Sequence, residues 1–364
     1  MTGIYIHIPF CGSRCVYCGF YSTTALDKRQ PYVDALLAEI AMRPSPDTVA
    51  TIYLGGGTPS QLTLAQLRRL FDALYIYNKV SPTAEVTIEV NPDDVTPEFA
   101  EGLRSLPVNR VSMGVQTFSD ERLKFLRRRH TASQVPEAVR LLRQAGIDNI
   151  SIDLMYGFPD ESLSDWTYDI SQAVVLSVEH LSAYSLMIEE GTPLHRMHLK
   201  PIDEETERQM YDTLIDHLSA AGFEHYEISN FAQPGFRSRH NSSYWTGIPY
   251  IGLGAAAHSY DLQSRSWNVA DITRYIEAME RGERPFESEQ LDDDTRYNDL
   301  VTVALRTKEG LNLASLSEKH RSYCLKCAQP YLAYGLLSLD TTHLHLTRQG
   351  LFVSDMIMSD MIYL

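Results

Sequence analysis

Ile4-Tyr-Ile-His-Ile-Pro-Phe-Cys11-Gly-Ser-Arg-Cys15-Val-Tyr-Cys18 is the stretch around which the chain is organised. Ile4, Ile6 and Ile8 alternate with Tyr5 and His7 until Pro9 stops the run. That pattern predicts a short strand feeding directly into a cysteine loop. Three thiolates spaced C-x3-C-x2-C can bind three corners of a cubane iron–sulfur cluster. The usual ligation takes four cysteines, so one iron is left open for another ligand. The alternative is three buried or disulfide-bonded cysteines in a loop.

Beyond that loop, strand and helix patterns alternate. Val33, Leu36, Leu37 and Ile40 repeat at helical spacing, as do Leu64, Leu67, Leu70 and Phe71. Apolar runs at 51–54, 86–90, 110–115, 150–154 and 180–184 read as strands, with helical patterns at 123–128, 135–145 and 166–176. Six strand–helix units imply a parallel sheet. Cys11, Gly55-Gly56-Gly57-Thr58, Glu89, Gln116 and Asp153 sit at the C-terminal ends of successive strands, where a barrel places its chemistry. The expected fold is α/β: an incomplete TIM-type (βα)6 barrel over residues 1–200.

After Met187 the pattern changes. Residues 204–221 read as one long helix and 226–229 as a short strand. Residues 234–259 are too rich in Gly, Ser, Asn, Pro and aromatics for a regular element. They are expected to form a loop within a connecting region, 201–290. Residues 291–364 combine helices with one hairpin, 336–339 against 343–346, and suggest a winged-helix-like domain. It carries nine acidic and seven basic residues, which favours an interaction or lid module over DNA binding.

Composition bounds the function. The 364 residues include 32 Lys+Arg and 47 Asp+Glu, a net charge of −15. That acidity argues against affinity for nucleic acid or an anionic membrane surface. No apolar run reaches the ~18 residues a membrane helix needs. No basic region precedes the first apolar residues, so the start of the chain does not read as a signal peptide. Five cysteines, three of them clustered, read as metal ligands in a reducing cytoplasm.

The polar strand ends supply what a zwitterionic nucleoside needs. Arg128 can pair with a carboxylate and Glu89 with an ammonium, while Gln116 and Asp153 suit ribose hydroxyls. The plainer reading of Arg128 is a cation at a helix C-terminus beside Arg127 and Arg129. Glycines at 55–57 allow positive φ and close approach. Cys324 and Cys327 lie at C-x2-C spacing with no further ligand nearby and read as small buried residues.

The cysteine loop, with the aromatic Tyr17 before Cys18, resembles the signature of the radical S-adenosylmethionine (SAM) superfamily. There the amino and carboxylate groups of SAM chelate the unique iron. Gly56, Gly57 and Thr58 resemble the motif whose backbone binds the methionine amino group. From Tyr5 to the C-terminus the chain resembles the anaerobic coproporphyrinogen III oxidases and their relatives, the radical SAM haem chaperones (HemW). The resemblance implies that Tyr5, with Glu89, Gln116, Arg128 and Asp153, contacts SAM. Two departures from the oxidases stand out: Phe20 replaces a fourth cysteine, and their N-terminal extension is not expected here. His240-Asn-Ser-Ser-Tyr244-Trp245 matches the H-N-x-x-Y-W motif of the chaperone branch.

By chemistry alone, His240 is either a haem-iron ligand with Tyr244 and Trp245 stacked on a porphyrin, or a hydrogen-bonded histidine in a loop packed on the barrel. His258 is the second candidate; His7 and His130 read as structural. The reading that follows is a cytoplasmic 4Fe–4S protein that binds SAM and passes haem to acceptor proteins, with no residue assigned a catalytic role. The resemblance implies haem-accepting partners, membrane-associated ones among them, and an electron donor such as flavodoxin or ferredoxin. The enzymatic alternative is oxygen-independent coproporphyrinogen III oxidation in porphyrin biosynthesis. Plain electron transfer is a third, but it leaves Gly55-Gly56-Gly57-Thr58, Glu89 and Arg128 without a use.

Overall fold

A computed structural model describes residues 1–364. The first half alternates as expected: β1 (Thr2–Ile8), α1 (Arg29–Met42), β2 (Val49–Gly56), α2 (Leu64–Tyr77), β3 (Val80–Val90), α3 (Pro97–Leu103), β4 (Arg110–Gln116), α4 (Asp120–Phe125), α5 (Gln134–Gln144), β5 (Ile150–Tyr156), α6 (Leu163–Val175) and β6 (His180–Ser185). Strands β1 to β6 lie side by side in chain order, each parallel to the next. β1 and β6 do not pair, so the barrel stays open.

Within each strand, alternation divides the labour. Ile4, Ile6 and Ile8 of β1, Ile52 and Leu54 of β2, and Val86 and Ile88 of β3 join one core of 62 buried residues shared with the helices. Burying each such side chain stabilises by about 1.5–3 kcal/mol. The opposite face is polar: Tyr5 and His7, Thr51 and Tyr53, Glu85 and Glu89, Arg110 and Ser112, Ser151 and Asp153, and His180 and Ser182. Helix starts are fixed locally, for instance by the capping box of Thr63 with Gln66 on α2 and of Ser162 with Asp165 on α6.

The region read as a connector builds both edges of the same sheet. It contains α7 (Glu204–Ala220), β7 (Glu224–Glu227), β8 (Asn230–Ala232), α8 (Arg239–Trp245), β9 (Tyr250–Leu253), β10 (His258–Tyr260), β11 (Ser264–Asn268), α9 (Ile272–Glu280) and β12 (Phe286–Gln290). β8 and β7 extend the β6 edge; β9, parallel to β1, and then β10, β11 and β12 extend the other, giving twelve strands. The expectation of an irregular loop over 234–259 is therefore corrected: α8, β9 and β10 occupy half of it. The polar side chains that hid these elements are satisfied by distant strands. The amides of Arg239 and His240, at the start of α8, donate to the Glu85 carboxylate at 2.9 and 2.8 Å, and His240 meets Thr51. Helix α8 thereby plugs the N-terminal end of the barrel.

The last segment comprises α10 (Asp293–Ala304), β13 (Leu311–Asn312), α11 (Glu318–Ala333), β14 (Leu337–Leu339), β15 (His343–Leu346), α12 (Arg348–Leu351) and α13 (Ser354–Asp360). A three-stranded antiparallel sheet, β13-β15-β14, packs with these helices around a core of 13 residues of its own. This is the winged-helix-like arrangement, with a short third strand added. Ion pairs tie it to the barrel, Arg306 to Glu227 and Arg348 to Asp212 and Asp216. No helix is long and apolar enough to cross a membrane.

Candidate functional site

The end of β2 holds the cysteine loop. The amides of Gly57 and Thr58 donate to the carbonyls of Ile8 and Phe10 at 2.8 and 2.7 Å, continuing the pairing with β1 up to Cys11. A Cβ on Gly57 would stand 2.7 Å from the Pro9 carbonyl carbon, and Gly56, at φ 107°, packs on the His7 ring. The glycines thus serve strand-to-loop closeness as well as any ligand. Thr58 Oγ1 lies 3.8 Å from Cys11 Sγ. Val16 anchors the middle of the loop in a small apolar cluster with Leu126, Met155 and Phe158.

Cys11, Cys15 and Cys18 open onto one cavity together with Gly56, Gly57, Thr58, Glu89, Gln116, Arg128 and Asp153. Burial pushes the Cys11 and Cys18 thiols up. Of the three consecutive arginines, Arg128 and Arg129 line this cavity and Arg127 does not. Arg127 takes a left-handed turn at φ 60°, and the exposed Arg129 is paired with Asp93 and Asp94 at 2.9 and 2.8 Å. Arg128 Nη2 donates to Asn91 Oδ1 at 2.6 Å and to the Gly114 carbonyl, while Nη1 faces Cys15 Sγ at 3.6 Å. Its Nε is buried without a partner.

Glu89 accepts from the Tyr53 hydroxyl at 2.7 Å and the Gly56 amide at 3.1 Å. Burial pushes its carboxyl up to about 7, with the negative charge of Asp153 adding to the rise. Burial likewise lifts Asp153 to about 6, against the opposing charge of Arg110. Two acids poised near neutrality beside a buried cation are what a cavity for a charged ligand requires. Three thiols on one loop with a partly unsatisfied guanidinium beside them fit a three-thiolate cluster and the carboxylate of an amino acid.

A second cavity of about 610 Å³ fills the barrel interior and adjoins the first through Tyr17, Cys18, Glu89 and Asp153. His240 and Tyr244 line its deep end, and Phe20, Tyr184 and Met187 its mouth. His240 is fully buried. Its Nδ1 meets Thr51 Oγ1 at 2.8 Å and its Nε2 the Tyr244 hydroxyl at 2.9 Å, and the ring stacks on Tyr53. Burial and the charge of Arg110 drive its pKa down to about 3, so it is neutral.

Comparison with known proteins follows this geometry. Residues 5–172 match the family model described as Radical SAM superfamily, and residues 291–353 match HemN C-terminal domain. The chain is similar to the heme chaperone HemW of Mycobacterium tuberculosis, 36% identical over 97% of this chain and 93% of that one. It is also similar to that of Bacillus subtilis, 36% identical over 88% and 87%. This chain belongs to the HemW family. Among solved structures, coproporphyrinogen III oxidase (HemN) from Escherichia coli shares the fold, with a TM-score of 0.85 at 23% identity over 99% of this chain and 90% of that one.

Measured against the family pattern, Cys11, Cys15, Cys18, Tyr17, Gly56, Gly57, Thr58, Glu89, Gln116, Arg128 and Asp153 converge on one place. Tyr5 lies deeper, lining the interior cavity with its hydroxyl 3.0 Å from His7 Nδ1. The H-N-x-x-Y-W residues separate. His240 and Tyr244 face the interior, whereas Trp245 turns outward under the guanidinium of Arg306, 5.2 Å from its ring. Trp245 and Tyr244 therefore do not flank one ligand. His258 is exposed and stacked on Trp267. Cys324 is buried in α11, and His7 and His130 are hydrogen-bonded to the backbone of Tyr21 and Val115. Sequence reasoning missed Asn91, Gly114 and Arg110. Gly114 has a legible reason afterwards: a Cβ there would lie 2.9 Å from Gln116 Nε2 and 3.0 Å from Arg128 Nη2.

Proposed function

We propose that this HemW-family chain is a radical SAM haem chaperone that binds haem and passes it to acceptor proteins. The relatives that it matches over nearly their full length carry that description. One observation of geometry supports it. Beside the cysteine loop, Phe20, Tyr184 and Met187 are 71, 45 and 64% exposed and line the mouth of the interior cavity. Large apolar side chains left in water at a cavity mouth suit a flat apolar ligand that must arrive and leave.

In this reading Cys11, Cys15 and Cys18 hold the 4Fe–4S cluster, which supplies electron-transfer chemistry and an iron with an open position. Thr58 supports Cys11 through its hydroxyl. Arg128 pairs with the SAM carboxylate, Glu89 and the Gly56–Gly57 backbone receive its ammonium, and Gln116 and Asp153 its ribose. His240, with both ring nitrogens engaged, closes the floor of the cavity rather than ligating iron. The test is a titration of the anaerobically reconstituted protein with haemin. Uptake near one per chain with a Soret band is expected, and no uptake overturns the reading. Turnover of coproporphyrinogen III with release of carbon dioxide would instead establish the oxidase.

A further inference from the structure

The floor of the barrel interior carries a cation that the protein leaves unsatisfied. Arg110, the first residue of β4, is 1% exposed, and its Nε and Nη1 are sealed from solvent without a hydrogen-bond partner. Burying an unpaired charge costs several kcal/mol, and buried polar groups in native proteins are almost always paired. No neighbouring acid forms an ion pair with it, and Asp153 feels its charge only from a distance. Glu89 is taken by Tyr53 and Gly56, and Glu85 by the first amides of α8. Arg110 nevertheless lines the interior cavity of about 610 Å³, as does Ser112 two residues on. Its charge acts on groups all round the floor, on Glu89 and Asp153 as on His180 and His240.

The two ends of this cavity differ in kind. The mouth exposes Phe20, Tyr184 and Met187, and the floor is lined by a guanidinium whose Nε and Nη1 have no hydrogen-bond partner. A ligand complementary to both has an apolar body and an anionic arm. A guanidinium matches a carboxylate in planar, bidentate fashion, and such a contact in a site without bulk water contributes strongly.

We propose that Arg110 is the carboxylate receptor of the barrel interior, taking one acidic arm of a tetrapyrrole whose apolar body rests against Phe20, Tyr184 and Met187. Its identification with haem, which carries two propionates, rests on the chaperone reading above. The receptor role itself does not.

The experiment compares haemin with its dimethyl ester, which lacks the charges, on the reconstituted full chain by Soret titration. Wild type should bind haemin about tenfold or more tightly than the ester, the scale of one charge-assisted contact. Arg110→Met should erase that preference and Arg110→Lys should keep part of it, with iron content and circular dichroism unchanged in both. Equal binding of acid and ester by wild type overturns the proposal even if a variant fails to fold. A preference that survives in Arg110→Met also overturns it. If wild type takes up no haemin, the chaperone reading fails separately, and the comparison is repeated with coproporphyrin and its tetramethyl ester. An Arg110-dependent preference there upholds the receptor for another tetrapyrrole, and no preference or no binding removes it.

Discussion

Glu89→Gln should stabilise the cluster-free protein at alkaline pH while weakening its grip on an ammonium. The carboxyl sits at about 7 instead of its ordinary 4.5, held up first by burial and then by Asp153. Because the folded value lies above the unfolded one, the native state holds the proton more tightly. Stability from this group is present below about pH 4.5 and is lost as pH rises through about 7. Integrating the two titrations gives a destabilisation of about 2 kcal/mol at pH 6 and about 3 kcal/mol at pH 8.5, upper values where cavity water screens the charge. Glutamine removes this term. It weakens the bonds from the Tyr53 hydroxyl and the Gly56 amide, at a cost of about 1 kcal/mol. The net gain should be about 1 kcal/mol at pH 6 and about 2 kcal/mol at pH 8.5. Urea unfolding of both proteins at the two pH values measures it. A loss of stability that is the same at both would show that Glu89 buries no charge, and the reasoning would fall.

Three further outcomes are expected. Changing Cys11, Cys15 or Cys18 to Ala should abolish iron uptake on reconstitution, while changing Cys324 or Cys327 should leave it intact; iron and sulfide assays decide. Arg128→Ala should weaken SAM binding by about 1.5–3 kcal/mol, the scale of a charge-assisted bond, read as a shifted titration of the cluster's EPR signal, and unchanged affinity removes Arg128 from the site. His240→Ala should cost about 2–4 kcal/mol, because it orphans Thr51 and Tyr244 and opens a cavity in the barrel floor. The exposed His258→Ala should stay within about 0.5 kcal/mol, and equal thermal midpoints for the two would show that α8 is not the plug described.

The parallel half of the fold was legible because its strands carry their own signal: apolar residues on one face, a glycine or acid at the C-terminal end, and a helix of regular length after each. The H-N-x-x-Y-W region was not. Its elements are short and polar, and what makes them regular lies far off in sequence. Glu85 receives the start of α8, and β1 provides a parallel partner for β9. A histidine in such a stretch reads equally well as a metal ligand or as part of a hydrogen-bonded plug. Only the partners of both ring nitrogens, Thr51 and Tyr244, separate the two.

The triple arginine shows the same limit within the site. Charge and helix position treat Arg127, Arg128 and Arg129 alike, yet one left-handed residue sends three identical side chains to different fates. Arg127 at φ 60° turns the chain, Arg129 is drawn out to Asp93 and Asp94, and Arg128 is directed inward to Asn91 and Gly114. Arg110 is the harder case, because β-alternation places it on the interior face where a soluble barrel's core would ordinarily be apolar or paired. In the sequence it is one cation at the head of an apolar run. In the fold it lines a cavity with two of its donors unpaired, and a charge kept there against its desolvation cost is what the proposed carboxylate would offset.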